Sequence, residues 1–136
     1  MTKSQKIVSL MMADDSFSQW LGIEVLEVQE GFCKAQMTVR ADMLNGHRVM
    51  HGGISFSLAD SAFAFASNSH GQKAVSIETS INHVKPVFEG DELIATAQKE
   101  SISKSLGQYI VRVTRNGELV GLFKGLVFRK QEAWQV

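Results

Sequence analysis

A chain of 136 residues with 44% hydrophobic and 21% charged side chains has the size and balance of one globular domain, residues 1–136. Its 14 basic and 14 acidic residues cancel, which excludes the charge footprint of a nucleic-acid or acidic-membrane binder. A single cysteine, Cys33, excludes an internal disulfide framework and fits a reducing compartment, and no apolar run reaches the roughly 20 residues of a membrane span.

Ile7, Leu10, Met11 and Phe17 recur at helical spacing and predict one N-terminal amphipathic helix. The opening stretch has a short apolar patch but no small-residue cleavage site, and Asp14 and Asp15 follow at once; it reads as a mature cytoplasmic start, not a signal peptide. Past the Gly31 turn, Cys33, Ala35, Met37 and Val39 alternate with polar residues, the period of a half-buried strand. After an apolar helical stretch come strand-like runs at 74–84, 93–98 and 109–114. Asn116-Gly117 is a strong hairpin signal leading into a last strand from about Leu119 to Arg129. Gly121 and Gly125 suggest bends or bulges in it, and the sole proline, Pro86, sits in a connection. Helix, two strands, long apolar helix, four strands is an α+β order with no βαβ alternation. A helix apolar on nearly every side must be wrapped, and one curved antiparallel sheet is the simplest wrapper.

The chemistry lies in the segment 43–68. Asn45-Gly46 reads as a turn, and His51-Gly52-Gly53 precedes the apolar helix. Glycine lets backbone approach a ligand closely, and the first amides of a helix lack internal partners, so they suit an oxyanion or a polarised carbonyl. The glycines equally fit a plain tight turn. Asp60 is the only Asp, Glu, Lys or Arg between Arg48 and Lys73. A buried carboxylate without a cation is costly or shifts its pKa upward, which suits a general base or nucleophile. The alternative is an acid facing solvent or pairing with a lysine across an interface. Gly52 and Asp60 are eight residues apart, about 12 Å along one helix, whereas a carbonyl and its attacking base must meet within about 3 Å. Two antiparallel copies of the helix bring them together, so the spacing predicts a dimer with sites at its interface.

Asn45-Gly46-His47, His51-Gly52-Gly53 and the Ser57–Asp60 run "SLAD" together resemble the hotdog-fold acyl-CoA thioesterases, closest to the phenylacetate-degradation group. The resemblance spans nearly the whole chain, including "LGIEVLEVQEGFCKAQMTV" and "KPVFEGDELIATA". It implies a hotdog fold, a curved antiparallel sheet around a long central helix, and hydrolysis of (aryl)acyl-CoA to free acid and CoA. It implies that the Gly52 amide, with Gly53 beside it, polarises the thioester carbonyl. Asp60 of the partner subunit attacks or activates water, Asn45 holds that water or the thioester, and His51 shapes the turn. Ser76 matches a serine that helps position water in some relatives; in a regular strand it shares a side with Glu78 and Ser80. The resemblance further implies a dimer of dimers, and no cofactor or metal, coenzyme A being part of the substrate.

Competing signals point elsewhere with less. His47 and His51 are four apart, but the glycines around them oppose a metal-binding helix, and Arg48 stands where a zinc-protease signature needs Glu. His70 and His83 read as surface or packing residues, and Cys33 as a structural thiol. Lys85, Lys104 and Arg129 are candidates for the coenzyme A phosphates, Lys85 foremost. Leu10, Met11, Met12, Phe56, Phe63 and Phe65 read as core, some lining an acyl pocket. Two alternatives stay open: an acyl-CoA-binding module without chemistry, and an enoyl-CoA hydratase, although no histidine follows Asp60 until His70. Arylacetyl, benzoyl-type and medium-chain acyl groups all fit.

Overall fold

Thr2 starts the first helix, α1 (Lys3–Asp14), with a reciprocal cap: its hydroxyl accepts from Gln5 N, while the Gln5 side chain accepts from Thr2 N. The helix stops because Asp15 leaves helical geometry and uses its carboxylate to cap a second helix, α2 (Ser16–Leu21), accepting from Ser18 N at 2.9 Å. The expected single amphipathic helix is therefore two. Ser4, Ile7 and Val8 form the buried side of α1, whereas Leu10 and Phe17, both expected to face inward, are exposed.

This computed structural model describes residues 1–136. After α2 come β1 (Glu24–Gln29), β2 (Phe32–Thr38), a short turn of 3-10 helix (Ala41–Met43) and α3 (Gly52–Asn68). Then follow β3 (Gln72–His83), β4 (Glu92–Ile102), β5 (Leu106–Arg115) and β6 (Glu118–Ala133). All six strands join one antiparallel sheet in the order β1-β2-β4-β5-β6-β3. One face of the sheet follows period-two burial: Cys33, Ala35 and Met37, then Leu93, Ala95 and Ala97, then Tyr109, Val111 and Val113, then Phe123 and Val127. That face receives α3, ten of whose residues are buried, and the two together anchor a core of 26 residues. The small side chains Ala35, Ala95 and Ala97 let the helix sit close to the strands.

The hairpin at Asn116-Gly117 forms as expected, with φ of 50° and 80°, the two left-handed positions of a type I′ turn. β6 runs on to Ala133, past the expected end at Arg129. Its irregularity falls at Val120, where the register with β5 shifts beside Gly121. Gly125 makes no bulge; it pairs in register with Thr79 and Tyr109. A bulge does occur in β3. Ser76 pairs with Val127 and Glu78 with Leu126, so Ile77 is the extra residue. Ser76 therefore shares the face of core residue Val127, opposite to Glu78 and Ser80, because one inserted residue reverses the alternation. β3 pairs only with β6, so its other edge is free, as is the outer edge of β1.

Candidate active site

His51 is the N-cap of α3. Its backbone N–H donates to Met43 O at 2.8 Å, which ties the cap to the 41–43 turn. Its Nδ1 accepts from Gly53 N at 2.9 Å, and its carbonyl accepts from Ile54 N. These bonds use up the neighbouring amides and leave the Gly52 N–H with no acceptor in the protomer. The helix thus presents one open donor at its positive end.

Asn45 organises the loop before the cap. Its Oδ1 accepts from His47 N at 2.9 Å and Val49 N at 3.3 Å, and its own N–H donates to Val49 O at 2.8 Å. Arg48, with φ 62°, takes the left-handed position of this turn. The Nδ2 group of Asn45 makes no hydrogen bond within the protomer.

Asn45, Met50, Gly52, His83, Lys85 and Val87 line a cavity of about 300 Å³ at this end of α3. Lys85 stands at the cavity with its ammonium 3.0 Å from Glu118, which also receives Arg115 at 3.0 Å. The structure thus brings together Asn45, His51, Gly52, Gly53 and Lys85. It adds His83, which sequence spacing gave no reason to choose: it ends β3 and reaches the site through the sheet, 31 residues after Gly52 in sequence.

Asp60 lies elsewhere, two turns along the same helix. From Ser57 onward, only Ser57, Asp60 and Ala64 of α3 fall short of full burial, so they form a narrow uncovered stripe. Burial pushes the Asp60 carboxyl above the usual aspartate range, and the nearby Asp15 carboxylate pushes it the same way. A buried chain of hydrogen bonds ties the two regions: Ser18 Oγ donates to Asp15 Oδ2 at 2.6 Å. Ser61 Oγ stands 2.8 Å from Ser18 Oγ and must supply the proton there. Ser76 is exposed on β3 and takes no part in the cavity. Within one protomer neither Asp60 nor Ser76 lines the space in front of Gly52.

The remaining sequence candidates have structural employment. His70 Nε2 lies 2.9 Å from the Tyr109 hydroxyl; burial holds the imidazole below the ordinary histidine range despite Glu30 at 3.7 Å, and pushes Tyr109 up to about 12. Arg129 donates to Ser103 O at 2.6 Å and fixes the β4–β5 connection. Cys33 is fully buried and its thiol is pushed up to about 12, the state of an inert packing residue. No group of three His, Cys, Asp or Glu side chains is placed to hold a metal, and no helix is long and apolar enough to cross a membrane.

A family model described as the thioesterase superfamily matches residues 47–121, from His47 in the loop before α3 through the first part of β6. The chain belongs to the thioesterase superfamily. It is 45% identical over 116 residues to the acyl-coenzyme A thioesterase PaaI of Escherichia coli, covering 85% of this chain and 83% of that one. The solved structure of the E. coli PaaI protein from the phenylacetic acid degradation operon superposes with a TM-score of 0.94 at 40% identity, over 96% of each chain. A mutant of the phenylacetic acid degradation protein PaaI from Thermus thermophilus gives 0.83, also at 40% identity, covering 85% of this chain and all of that one. The helix-in-sheet architecture is therefore the hotdog fold, and the thioesterase is a thioester hydrolase.

Proposed function

We propose that this thioesterase hydrolyses acyl-CoA, with Gly52 of one protomer and Asp60 of another flanking the same thioester. The observation that carries the reading is the separation of the two groups on α3: an open amide at the helix start, and a desolvated carboxylate two turns away on the helix's uncovered stripe. The Gly52 N–H takes the carbonyl oxygen, on which negative charge develops during attack. Asp60 accepts a proton from water as the water oxygen bonds to the carbonyl carbon. When the tetrahedral intermediate collapses, the C–S bond breaks with its electron pair on sulfur. The Asp60 proton then reaches the thiolate, giving free acid, CoA and a restored carboxylate. Thioesters are activated enough that this needs only water and side chains. Attack by Asp60 itself, through an anhydride that water opens, gives the same products.

Two further features support a two-protomer site. β3 offers a free edge of 12 residues, and α3 offers small side chains beside Asp60, so a second copy can continue the sheet and lay its own α3 alongside. Asn45 Nδ2, with no partner in the protomer, is free to hold the water or the thioester; His51 fixes the amides behind. Lys85 lines the same cavity, and its solvent-exposed ion pair with Glu118 is weak enough to be exchanged for a coenzyme A phosphate. The test is thiol release from phenylacetyl-, benzoyl- and medium-chain acyl-CoA, run beside Asp60→Ala. Turnover of at least one ester, abolished in a folded Asp60→Ala protein, is the expected result. Hydrolysis that survives the substitution overturns the role of Asp60. Binding without hydrolysis across the panel overturns the proposed acyl-CoA hydrolysis.

A further inference from the structure

The imidazole of His83 lies on Gly52. A Cβ built at position 52 would stand 2.9 Å from His83 Nε2 and 3.0 Å from Cε1, closer than packed atoms tolerate. Any side chain at 52 would displace the ring from this position, so the glycine is what lets the imidazole rest against the helix start. His83 is exposed on its other sides and lines the same cavity as Asn45 and Gly52. Its Nδ1 lies 3.4 Å from Ser55 Oγ, whose single proton has two acceptors in reach, Gly52 O at 3.2 Å and His83 Nδ1.

We propose that His83 is a second donor to the substrate carbonyl, so that the oxyanion is held by Gly52 N–H and His83 Nε2–H together. The inference rests on the acyl-CoA hydrolase reading above. The geometry bounds it well. A Cβ lies about 2.5 Å from its own backbone nitrogen, and His83 Nε2 is 2.9 Å from that Cβ position. The two nitrogens are then at most about 5.4 Å apart, and donors up to about 5.8 Å apart can both reach one oxygen at about 2.9 Å. When the Ser55 hydroxyl turns to His83 Nδ1, that nitrogen accepts and the proton must sit on Nε2, the tautomer the role requires. Ser55 is buried at the foot of the helix, so it is a positioning residue for the ring. No proton is transferred by His83 in this role; it stabilises charge as it develops on oxygen and releases it when the carbonyl re-forms.

The test separates carbonyl recognition from packing. Two non-hydrolysable ligands are compared by calorimetry: a phenylacetyl ketone analogue of CoA, with CH2 in place of sulfur and the carbonyl kept, and the S-phenethyl thioether, with sulfur kept and no carbonyl. Wild type is expected to prefer the ketone, and His83→Phe to reduce that preference by about tenfold while thioether affinity changes less than threefold. His83→Gln, whose amide NH2 reaches the place of Nε2, is expected to keep most of the preference and to retain kcat better than His83→Phe at similar KM. An unchanged ketone-to-thioether ratio in His83→Phe overturns the role of His83, whatever that variant's activity. If wild type binds neither ligand and hydrolyses no acyl-CoA, the acyl-CoA reading itself fails and takes this inference with it. Thermal midpoints of both variants establish that they are folded.

Discussion

Gly125 of β6 lies directly beneath the ring of Phe63 of α3: a Cβ there would stand 2.6 Å from Phe63 Cε1 and Cζ. The ring in turn packs edge-on against Tyr109 at 5.8 Å and tilts against Phe123 at 5.5 Å, so it has no free direction of retreat. This contact sets how close α3 sits to the sheet, and through it where Gly52 and Asp60 stand. Gly125→Ala is expected to destabilise by about 1–3 kcal/mol, the range for overpacking a filled core. Chemical denaturation reads it directly, and a stability within about 0.5 kcal/mol of wild type overturns the close-contact account.

The N-terminal cap of α3 gives a second expectation. His51 Nδ1 is the acceptor for Gly53 N–H. His51→Ala removes it and leaves two open amides where there was one, so the substrate oxygen competes for a less ordered turn. Loss of a cap costs about 1 kcal/mol, and activity is expected to fall by more than tenfold. His51→Asn, which can accept from the same amide, is expected to recover most of the stability. Equal loss in both variants goes against capping.

Much of this was readable in the sequence. Alternation at Cys33 to Val39 and at Tyr109 to Thr114 reflects one face packed on α3, and Asn116-Gly117 reflects a turn only residues tolerant of positive φ form easily. The start of α3 was legible because capping and glycine signals are local. What lay outside reach depended on one residue out of step or on tertiary contact. The bulge at Ile77 reversed the expected side of Ser76, and nothing in the spacing of 74–84 marks it. Asp15 looked like part of one helix because its role as a cap appears only when the chain turns. His83 acquires meaning only when β3 crosses the far edge of the sheet and brings its last residue against the start of α3.

Asp60 makes the stability of the fold depend on pH in a definite direction. Its carboxyl is held above the usual aspartate range by burial first and Asp15 second. Between the ordinary value of about 3.9 and the raised folded value, the folded chain binds more protons than the unfolded one. Stability contributed by this group therefore falls as pH rises through that window, and the full cost is present above it. Asp60→Asn has no charge to desolvate. It is expected to melt at a higher temperature than wild type at pH 7, with the difference shrinking as pH falls toward 4. A difference that is absent at pH 7, or that grows on acidification, contradicts the desolvated carboxylate.

The same pair predicts a shift in the activity profile. If Asp60 takes a proton from water, its pKa sets the acid limb of kcat/KM. Asp15→Asn keeps a side-chain oxygen to cap Ser18 N–H but removes the like charge. The acid limb is expected to move to lower pH, with helix α2 and the thermal midpoint little changed. A limb that stays in place while Asp15→Asn remains folded rules out Asp15 as a tuning charge on Asp60.

The proposal of a site shared between two protomers predicts complementation between two defective chains. An Asp60→Ala protomer retains its own Gly52 end, and an Asn45→Ala, His51→Ala protomer retains its own Asp60. In a two-fold dimer each site draws one end from each chain, so a mixed dimer holds one intact site and one doubly defective site. Unfolding and refolding an equal mixture gives about half mixed dimers and therefore about a quarter of wild-type activity. Either variant refolded alone stays near its own low level. Recovery near a quarter establishes that Gly52 and Asp60 act across the interface; no recovery, with mixed dimers demonstrated by mass spectrometry, returns both groups to a single chain, against the 12 Å or so that one straight helix puts between them.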